Sequence, residues 1–249
     1  MAWHEGELTK GAMPLWAQIA DRLRAGIANG EFAEGDDLPS ESELVERFRV
    51  SRATARNALG RLGSEGLVER RSGKGTRVLP PAIELPLNLL SSFSEDMASR
   101  GMKPGYGHLS VTVAKAPATV AIALAIPAET PVVQVERQLL ANGAAIAYST
   151  SWLLPQAIPI ETVDELRSYR HSLYAWLEKQ CGVRVTHGTE TIQAGVANAQ
   201  IASQLGINPG AAVLNATRLA RVRDGTVVEY VERSYRADRY RYRVELVRP

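Results

Sequence analysis

Apolar residues recur three and four positions apart through the first third of the chain, then at alternate positions through most of the remainder. Leu15, Ile19, Leu23 and Ile27, with Trp16 and Ala20, form one face of a helix. Pro14 sits where a first turn tolerates proline, and Asn29-Gly30 closes the element. Residues 1–12 lack this period and read as a frayed tail. After an acidic connection over 31–37, Ser40 and Glu43 have capping-box spacing, and Leu44, Val45 and Phe48 carry a second helix. Ser51 caps a third, with Ala55, Ala58, Leu59 and Leu62 as its buried stripe and Gly66 as its stop. Residues 67–71 and 76–78 read as short strands joined by Ser72-Gly73-Lys74-Gly75.

The pattern changes after Val78. Prolines 80, 81 and 86 forbid helix and stiffen an extended path, so 79–90 reads as a linker between domains at 1–78 and 91–249. Beyond it, Ser91 or Ser92 caps a helix reaching Arg100. Alternation over 108–113 predicts a half-buried strand. Ala118–Leu124 and Ala199–Leu205 read as short helices, 172–181 as a longer one, and 183–196 as strand. Asn142-Gly143 joins strands at 132–140 and Ala144–Leu153; Asp224-Gly225 joins strands at 212–223 and 226–235. Leu124-Ala125-Ile126, a proline and a hairpin containing Arg137 are echoed by Leu205-Gly206-Ile207, a proline and a hairpin containing Arg218. Two copies of a helix-plus-hairpin unit are expected to build one antiparallel sheet with pseudo-twofold symmetry. The fold class is α+β in two domains.

Composition adds little until charge is placed along the chain. The net charge of +2 over 249 residues says nothing about a partner. Between Arg47 and Arg77, however, nine lysines and arginines face only Glu65 and Glu69. A helix pair joined by a tight turn, with Arg52 and Arg56 sharing the outer face of the second helix, is a helix-turn-helix; the glycine-rich hairpin is its wing. That cationic concentration fits phosphate contact. A single cysteine, Cys181, permits no internal disulfide, and the chain has neither a long apolar run nor a secretory leader. With DNA binding, this places the protein in a bacterial cytoplasm, away from any membrane. His4, His108, His171 and His187 are scattered without metal-ligand spacing. No cofactor motif is present and no catalytic set is assigned; Glu190 and His187 share a strand without a nucleophile.

Leu38-Pro39-Ser40-Glu41, Val50-Ser51-Arg52 with Thr54 and Arg56, and Glu65-Gly66-Leu67-Val68 resemble the GntR family of bacterial transcription regulators. Residues 92–97, Val135-Glu136-Arg137, Ser172-Leu173-Tyr174, Val228-Glu229-Tyr230 and 235–240 are similar to the HutC-type subfamily, whose effector domain, UTRA, has a chorismate-lyase-like fold. The resemblance covers nearly the whole chain from Pro14. It implies a homodimer, a pseudo-palindromic double-stranded operator and a small-molecule effector. It places Ser40, Glu41, Ser51, Arg52, Thr54, Arg56, Gly73 and Lys74 at DNA. It places Phe93, Ser94, Arg137, Ser149, Ser172, Tyr174, Glu229 and Tyr235 at the effector.

The residues agree in part. Ser92 to Ser94 open a helix, where free amides favour an anion. Arg137 shares a strand face with Val133, Val135 and Leu139, and a guanidinium there needs a partner. An anionic ligand and a carboxylate such as Glu229 both qualify, and Tyr174 and Tyr235 suit core and ligand contact alike. Three departures stand out: Ser42 where the family often has arginine, Leu139 where a second effector-site arginine is common, and Ser149 where sugar-phosphate binders have a glutamate. The expectation is a repressor released from its operator by a small anionic metabolite. A chorismate-lyase-type enzyme fused to a DNA-binding domain is the alternative, which turnover of a bound ligand would reveal.

Overall fold

The computed structural model describes residues 3–244 apart from 5, 10, 12, 72, 81 and 87–89, and the backbone alone at 84–86. The chain divides into two units, Met1–Ile83 and Glu84–Pro249.

The first unit runs α1 (Leu15–Ala28), β1 (Asp37–Leu38), α2 (Glu41–Phe48), α3 (Arg52–Ser64), β2 (Val68–Arg71) and β3 (Gly75–Val78), with sheet order β1-β3-β2. The capping box at α2 is complete. Ser40 Oγ accepts from the Glu43 amide at 3.2 Å, and the Ser40 amide donates to Glu43 Oε2 at 2.7 Å. Ser51 Oγ accepts from the Thr54 amide at 3.1 Å and caps α3. Between the two helices Arg49 takes a left-handed conformation (φ 52°), which makes the turn tight. The predicted stripes meet in one core: Ile19, Ala20 and Leu23 against Leu44, Ala55, Ala58, Leu59 and Leu62, closed by Val68 and Val78. The expected frayed tail needs correction at Trp3, whose indole packs 6.0 Å from Phe32 and 6.1 Å from Phe48. Aromatic burial can hold a segment that carries no helical period.

The chain passes from the first unit to the second within β4 (Ile83–Pro86), and the second unit goes on with α4 (Phe93–Ser99), β5 (Pro104–Lys115), α5 (Ala118–Leu124), β6 (Pro131–Ala141) and β7 (Ala144–Leu153). It continues with α6 (Val163–Ser168), α7 (Leu173–Cys181), β8 (His187–Val196), α8 (Ala199–Leu205), β9 (Ala212–Arg221), β10 (Val227–Arg236) and β11 (Tyr240–Arg243). The main sheet has the order β5-β6-β7-β10-β9-β8, and β11 pairs with β4 in a separate ribbon. That palindromic order fits the echo in the sequence: β5-α5-β6-β7 is repeated as β8-α8-β9-β10, and the copies meet where β7 pairs β10. Each repeat is longer than the helix-plus-hairpin expected, because an outer strand belongs to it.

The two faces of this sheet differ. Alternate residues Val133 and Val135 of β6, with Leu153 of β7, pack beneath Leu166, Leu173, Trp176 and Leu177 of α6 and α7. On the other face Val132 and Trp152 pack with Val120, Ala121 and Leu124 of α5, while Tyr148 and Val213 pack with Ala202 and Leu205 of α8. Register places Arg137, Ser149 and Arg233 in one row across β6, β7 and β10, on the face that α7 covers. The expected strand over 183–196 begins only at His187. Val183 instead donates its amide to the Leu177 carbonyl at 3.0 Å, finishing the closure of α7 behind left-handed Gly182. Part of the expected linker lies outside the described residues, as does Ser72 in the wing; residues 83–86 form β4. No described helix is long and apolar enough to cross a membrane.

Candidate DNA-reading surface and ligand cavity

In the first unit Arg52 and Arg56 project from α3 opposite its buried stripe, and both are exposed. They are held differently. Arg56 donates to both oxygens of Glu41 at 3.2 Å, and Glu41 also pairs with Arg70 of the wing. The hydrogen bond from Arg56 lowers the Glu41 pKa below the usual carboxylate value. Arg52 has no side-chain hydrogen bond or ion pair to any described residue, which leaves its fork open to a base or phosphate. Ser51 and Thr54 are not idle hydroxyls: they bond each other at 2.9 Å, and Ser51 serves the helix cap as well. A surface concavity brings Ser40 and Glu41 at the start of α2 beside Arg70, Arg71, Gly73 and Gly75 of the wing. Gly73 and Gly75 have φ of 70° and 94°, so the hairpin between β2 and β3 needs glycine there. Lys74 lies between them, exposed, its amide closing the turn on the Arg71 carbonyl at 2.9 Å.

In the second unit a cavity is lined by Ser92 and Phe93 of the α4 start, Tyr106 of β5, Arg137 and Leu139 of β6, Ser172 to Tyr174 at the start of α7, and Arg233 of β10. Its volume is only about 10 Å³, roughly the space a single water needs. Side chains must move for anything larger to enter.

Charge defines the site. Arg137 is 7% exposed and Arg233 8%, yet neither has a carboxylate within 4 Å among the described residues. Arg137 donates to the His171 carbonyl at 3.3 Å and lies 5.2 Å over the Tyr106 ring, and its Nε has no partner. Burial pulls its pKa below the ordinary arginine value. Arg233 makes two long contacts, 3.4 Å to Ser149 Oγ and 3.5 Å to the Tyr235 hydroxyl. Burial opposes its charge as well, but the neighbouring Tyr235, Tyr174 and Glu229 leave its pKa raised. Glu229 is fully buried: one oxygen accepts from the Tyr174 hydroxyl at 2.8 Å and the other has no partner. Burial and the Glu229 charge raise the Tyr174 pKa, which keeps the phenol a donor.

Of the two partners open to Arg137, the internal one is therefore not taken: Glu229 turns to Tyr174. Phe93, Arg137, Ser172 and Tyr174 line the cavity, while Ser149 and Glu229 reach it through Arg233 and Tyr174. Ser94 bonds Tyr106, and Tyr235 stacks 3.9 Å from Tyr240, so both stand one layer behind the lining. The expected anion attraction by the α4 amides is weakened by the helix itself. The Ser92 amide already donates to Glu95 Oε2 at 2.7 Å, and Glu95 and Asp96 fill the first turn. The sequence reading missed Arg233, which supplies a second guanidinium beside Leu139, where the subfamily often has arginine. Strand alternation was its only signal, since Glu229, Val231, Arg233 and Tyr235 share one face.

A winged helix-turn-helix with an open arginine, joined to a unit enclosing a cationic cavity, is the architecture of a ligand-responsive DNA-binding transcription regulator. The model of the gntR family of bacterial regulatory proteins matches residues 15–78, and that of the UTRA domain matches residues 99–241. The chain is 34% identical over 232 residues to the HTH-type transcriptional repressor NagR of Bacillus subtilis (strain 168), covering 92% of this chain and 93% of that protein. It is 31% identical over 238 residues to the HTH-type transcriptional repressor PhnF of Mycolicibacterium smegmatis, covering 93% of each. The crystal structure of PhnF from Mycobacterium smegmatis matches the fold with a TM-score of 0.61 at 29% identity, over 95% of this chain and 100% of that one. The chain belongs to the GntR family of transcription regulators and carries a UTRA effector domain.

Proposed function

We propose that the protein is a homodimeric, cytoplasmic repressor that leaves a pseudo-palindromic operator when a small anionic metabolite enters the cavity of its effector domain. The observation that carries the anionic part is the pair of buried guanidiniums, Arg137 and Arg233, with no carboxylate within 4 Å among the described residues. An unpaired charge inside a protein costs several kcal/mol, and an entering anion removes that cost. The unpartnered Glu229 oxygen suits a hydrogen-bond donor on the same ligand, a hydroxyl or an ammonium group. Binding rather than turnover is supported by how the nearby hydroxyls are used: Ser172 Oγ caps α7 and Ser149 Oγ faces Arg233. In the DNA domain, Arg52 and Arg56 read the major groove, with Ser51 and Thr54 at the phosphates and the Gly73-Lys74 wing at the minor groove. Ser40 and Glu41 support that surface.

The test is a panel of anionic metabolites beside neutral analogues, in thermal-shift and operator-release assays, repeated with Arg137→Ala. Anions that stabilise the parent should release it from DNA, and the variant should respond to none. A neutral inducer, or an alanine variant that responds as the parent does, would overturn the proposal.

A further inference from the structure

The twin halves of the main sheet contain their own comparison. Arg137 of β6 and Arg218 of β9 hold corresponding places in the two repeats, both buried and both on the cavity side of the sheet. Directly across from Arg218, on outer strand β8, stands Glu190. Its Oε2 accepts from Arg218 Nη2 at 2.6 Å and from Nε at 3.1 Å. Directly across from Arg137, on outer strand β5, stands Leu109. The same stretch of chain separates Leu109 from Glu190 as separates Arg137 from Arg218, so positions 109 and 190 also correspond. One half of the sheet carries its own counter-ion, and the other has a leucine in that place.

The consequence shows in the two arginines. Burial works against the charge on each, yet Arg218, with Tyr174 and Glu190 beside it, ends with a raised pKa, and Arg137 ends with a lowered one. The other carboxylates in this region do not reach Arg137: Glu229 lies beyond 4 Å and turns one oxygen to Tyr174, and Asp96 accepts from Ser91. Directly opposed residues on antiparallel strands place their Cβ atoms about 4.5–5.5 Å apart on the same face. A carboxylate at position 109 would therefore reach Arg137 much as Glu190 reaches Arg218.

We infer that position 109 is a specificity-determining position of the effector domain: Leu109 keeps the cavity arginine free of an internal counter-ion, and so reserves its charge for an anionic ligand. This rests on the anion reading proposed above and deepens it. In Leu109→Glu the protein supplies the anion itself. The cavity then loses its affinity for external anions, while operator binding, which belongs to the other unit, is kept but cannot be reversed by ligand.

The experiment uses the full chain and inorganic phosphate as the probe, against chloride at matched ionic strength, by calorimetric titration and thermal shift. Four proteins are compared: the parent, Arg137→Ala, Leu109→Glu and the uncharged control Leu109→Gln. Phosphate should bind the parent and Leu109→Gln alike. It should bind Leu109→Glu weaker by about tenfold or more, with a melting temperature without phosphate no lower than that of Leu109→Gln. If Leu109→Glu binds phosphate as Leu109→Gln does while Arg137→Ala does not, the inference falls and the cavity reading stands. If Leu109→Glu fails to fold where Leu109→Gln folds, its carboxylate has found no partner in Arg137, and the inference falls again. If the parent ignores phosphate, or Arg137→Ala binds it unchanged, the cavity reading falls and takes the inference with it.

Discussion

Replacing Arg137 by methionine should make the ligand-free protein more stable while abolishing its response to anions. Arg137 contributes one long hydrogen bond, 3.3 Å to the His171 carbonyl, and a cation–π contact at 5.2 Å from Tyr106. A hydrogen bond from a charged group is worth about 1.5–3 kcal/mol, with a long one such as this at the low end, and the ring contact about 1–2. Against them stand a buried guanidinium with no carboxylate and an Nε with no partner. The orphaned donor alone costs about 1–3 kcal/mol, and the desolvated charge several more. Methionine keeps most of the length, fits irregular space and packs on Leu109 and Leu139 without a charge. The balance favours Arg137→Met by about 1–3 kcal/mol.

In an effector domain of this size each kcal/mol moves the melting temperature by about 2–4 °C. Scanning calorimetry of parent and variant, with and without the anion that passes the release assay, reads both halves of the claim. The variant should melt higher without ligand and show no shift with it. Had Arg137 been one member of an internal ion pair, removing it would cost about 3–5 kcal/mol. A variant destabilised by about 2 kcal/mol or more would therefore refute the reasoning and make Arg137 a structural residue.

Arg52→Ala or Arg56→Ala should weaken specific operator binding by about 1–3 kcal/mol, as fluorescence anisotropy at fixed salt reads it. Their thermal stability should match the parent, because both side chains lie on the exposed face of α3. Ser51→Ala removes the α3 cap and should cost the DNA domain about 1 kcal/mol, measured by chemical denaturation; an unchanged midpoint would contradict the cap's contribution. A fragment beginning near Leu85 should self-associate in analytical ultracentrifugation, while residues 1–78 should sediment as a monomer and bind DNA weakly. A monomeric effector fragment at micromolar concentration would contradict the proposed dimer.

Features that depend on a few neighbouring residues were legible in the sequence. The capping box at Ser40/Glu43 is an i, i+3 pattern and forms as read; of the two serines open as the cap of α4, Ser92 takes the place, and Glu95 completes a box the sequence reading did not name. The hairpin turn at Asn142-Gly143 also forms as read, and both residues adopt positive φ. The echo of Arg137 in Arg218 was legible because a repeat shows in one dimension. What depended on pairing between distant strands was hidden. β4 and β11 are each four residues long and find each other across most of the second unit. Arg233 reads as one charge in an alternating strand until register sets it in a row with Ser149 and Arg137. α6 was missed because its Thr162 cap makes no side-chain hydrogen bond and its six residues span under two turns.

The same nonlocal pairing suggests how occupancy of the cavity reaches the rest of the chain. Arg233 touches the Tyr235 hydroxyl; Tyr235 stacks on Tyr240; Tyr242 meets both rings edge-on and donates to Glu190 Oε1 at 3.4 Å. Tyr240 and Tyr242 belong to β11, which pairs with β4, the stretch of chain that joins the two units. An anion that draws Arg233 toward itself pulls on this aromatic stack and thereby on β11. A ligand releases DNA only through the difference in its affinity for the DNA-bound and free arrangements, so weakening the stack should uncouple binding from release. Tyr242→Ala is the sparing perturbation: the residue is only half-buried and lies outside the cavity, and Arg218 keeps Glu190 as its partner. Phosphate affinity should stay within about twofold of the parent, while the ligand's effect on operator affinity should fall about fivefold, the loss of roughly 1 kcal/mol of coupling. Paired titrations of ligand with and without operator DNA measure that coupling directly, and an unchanged value would mean that the signal leaves the cavity by another path.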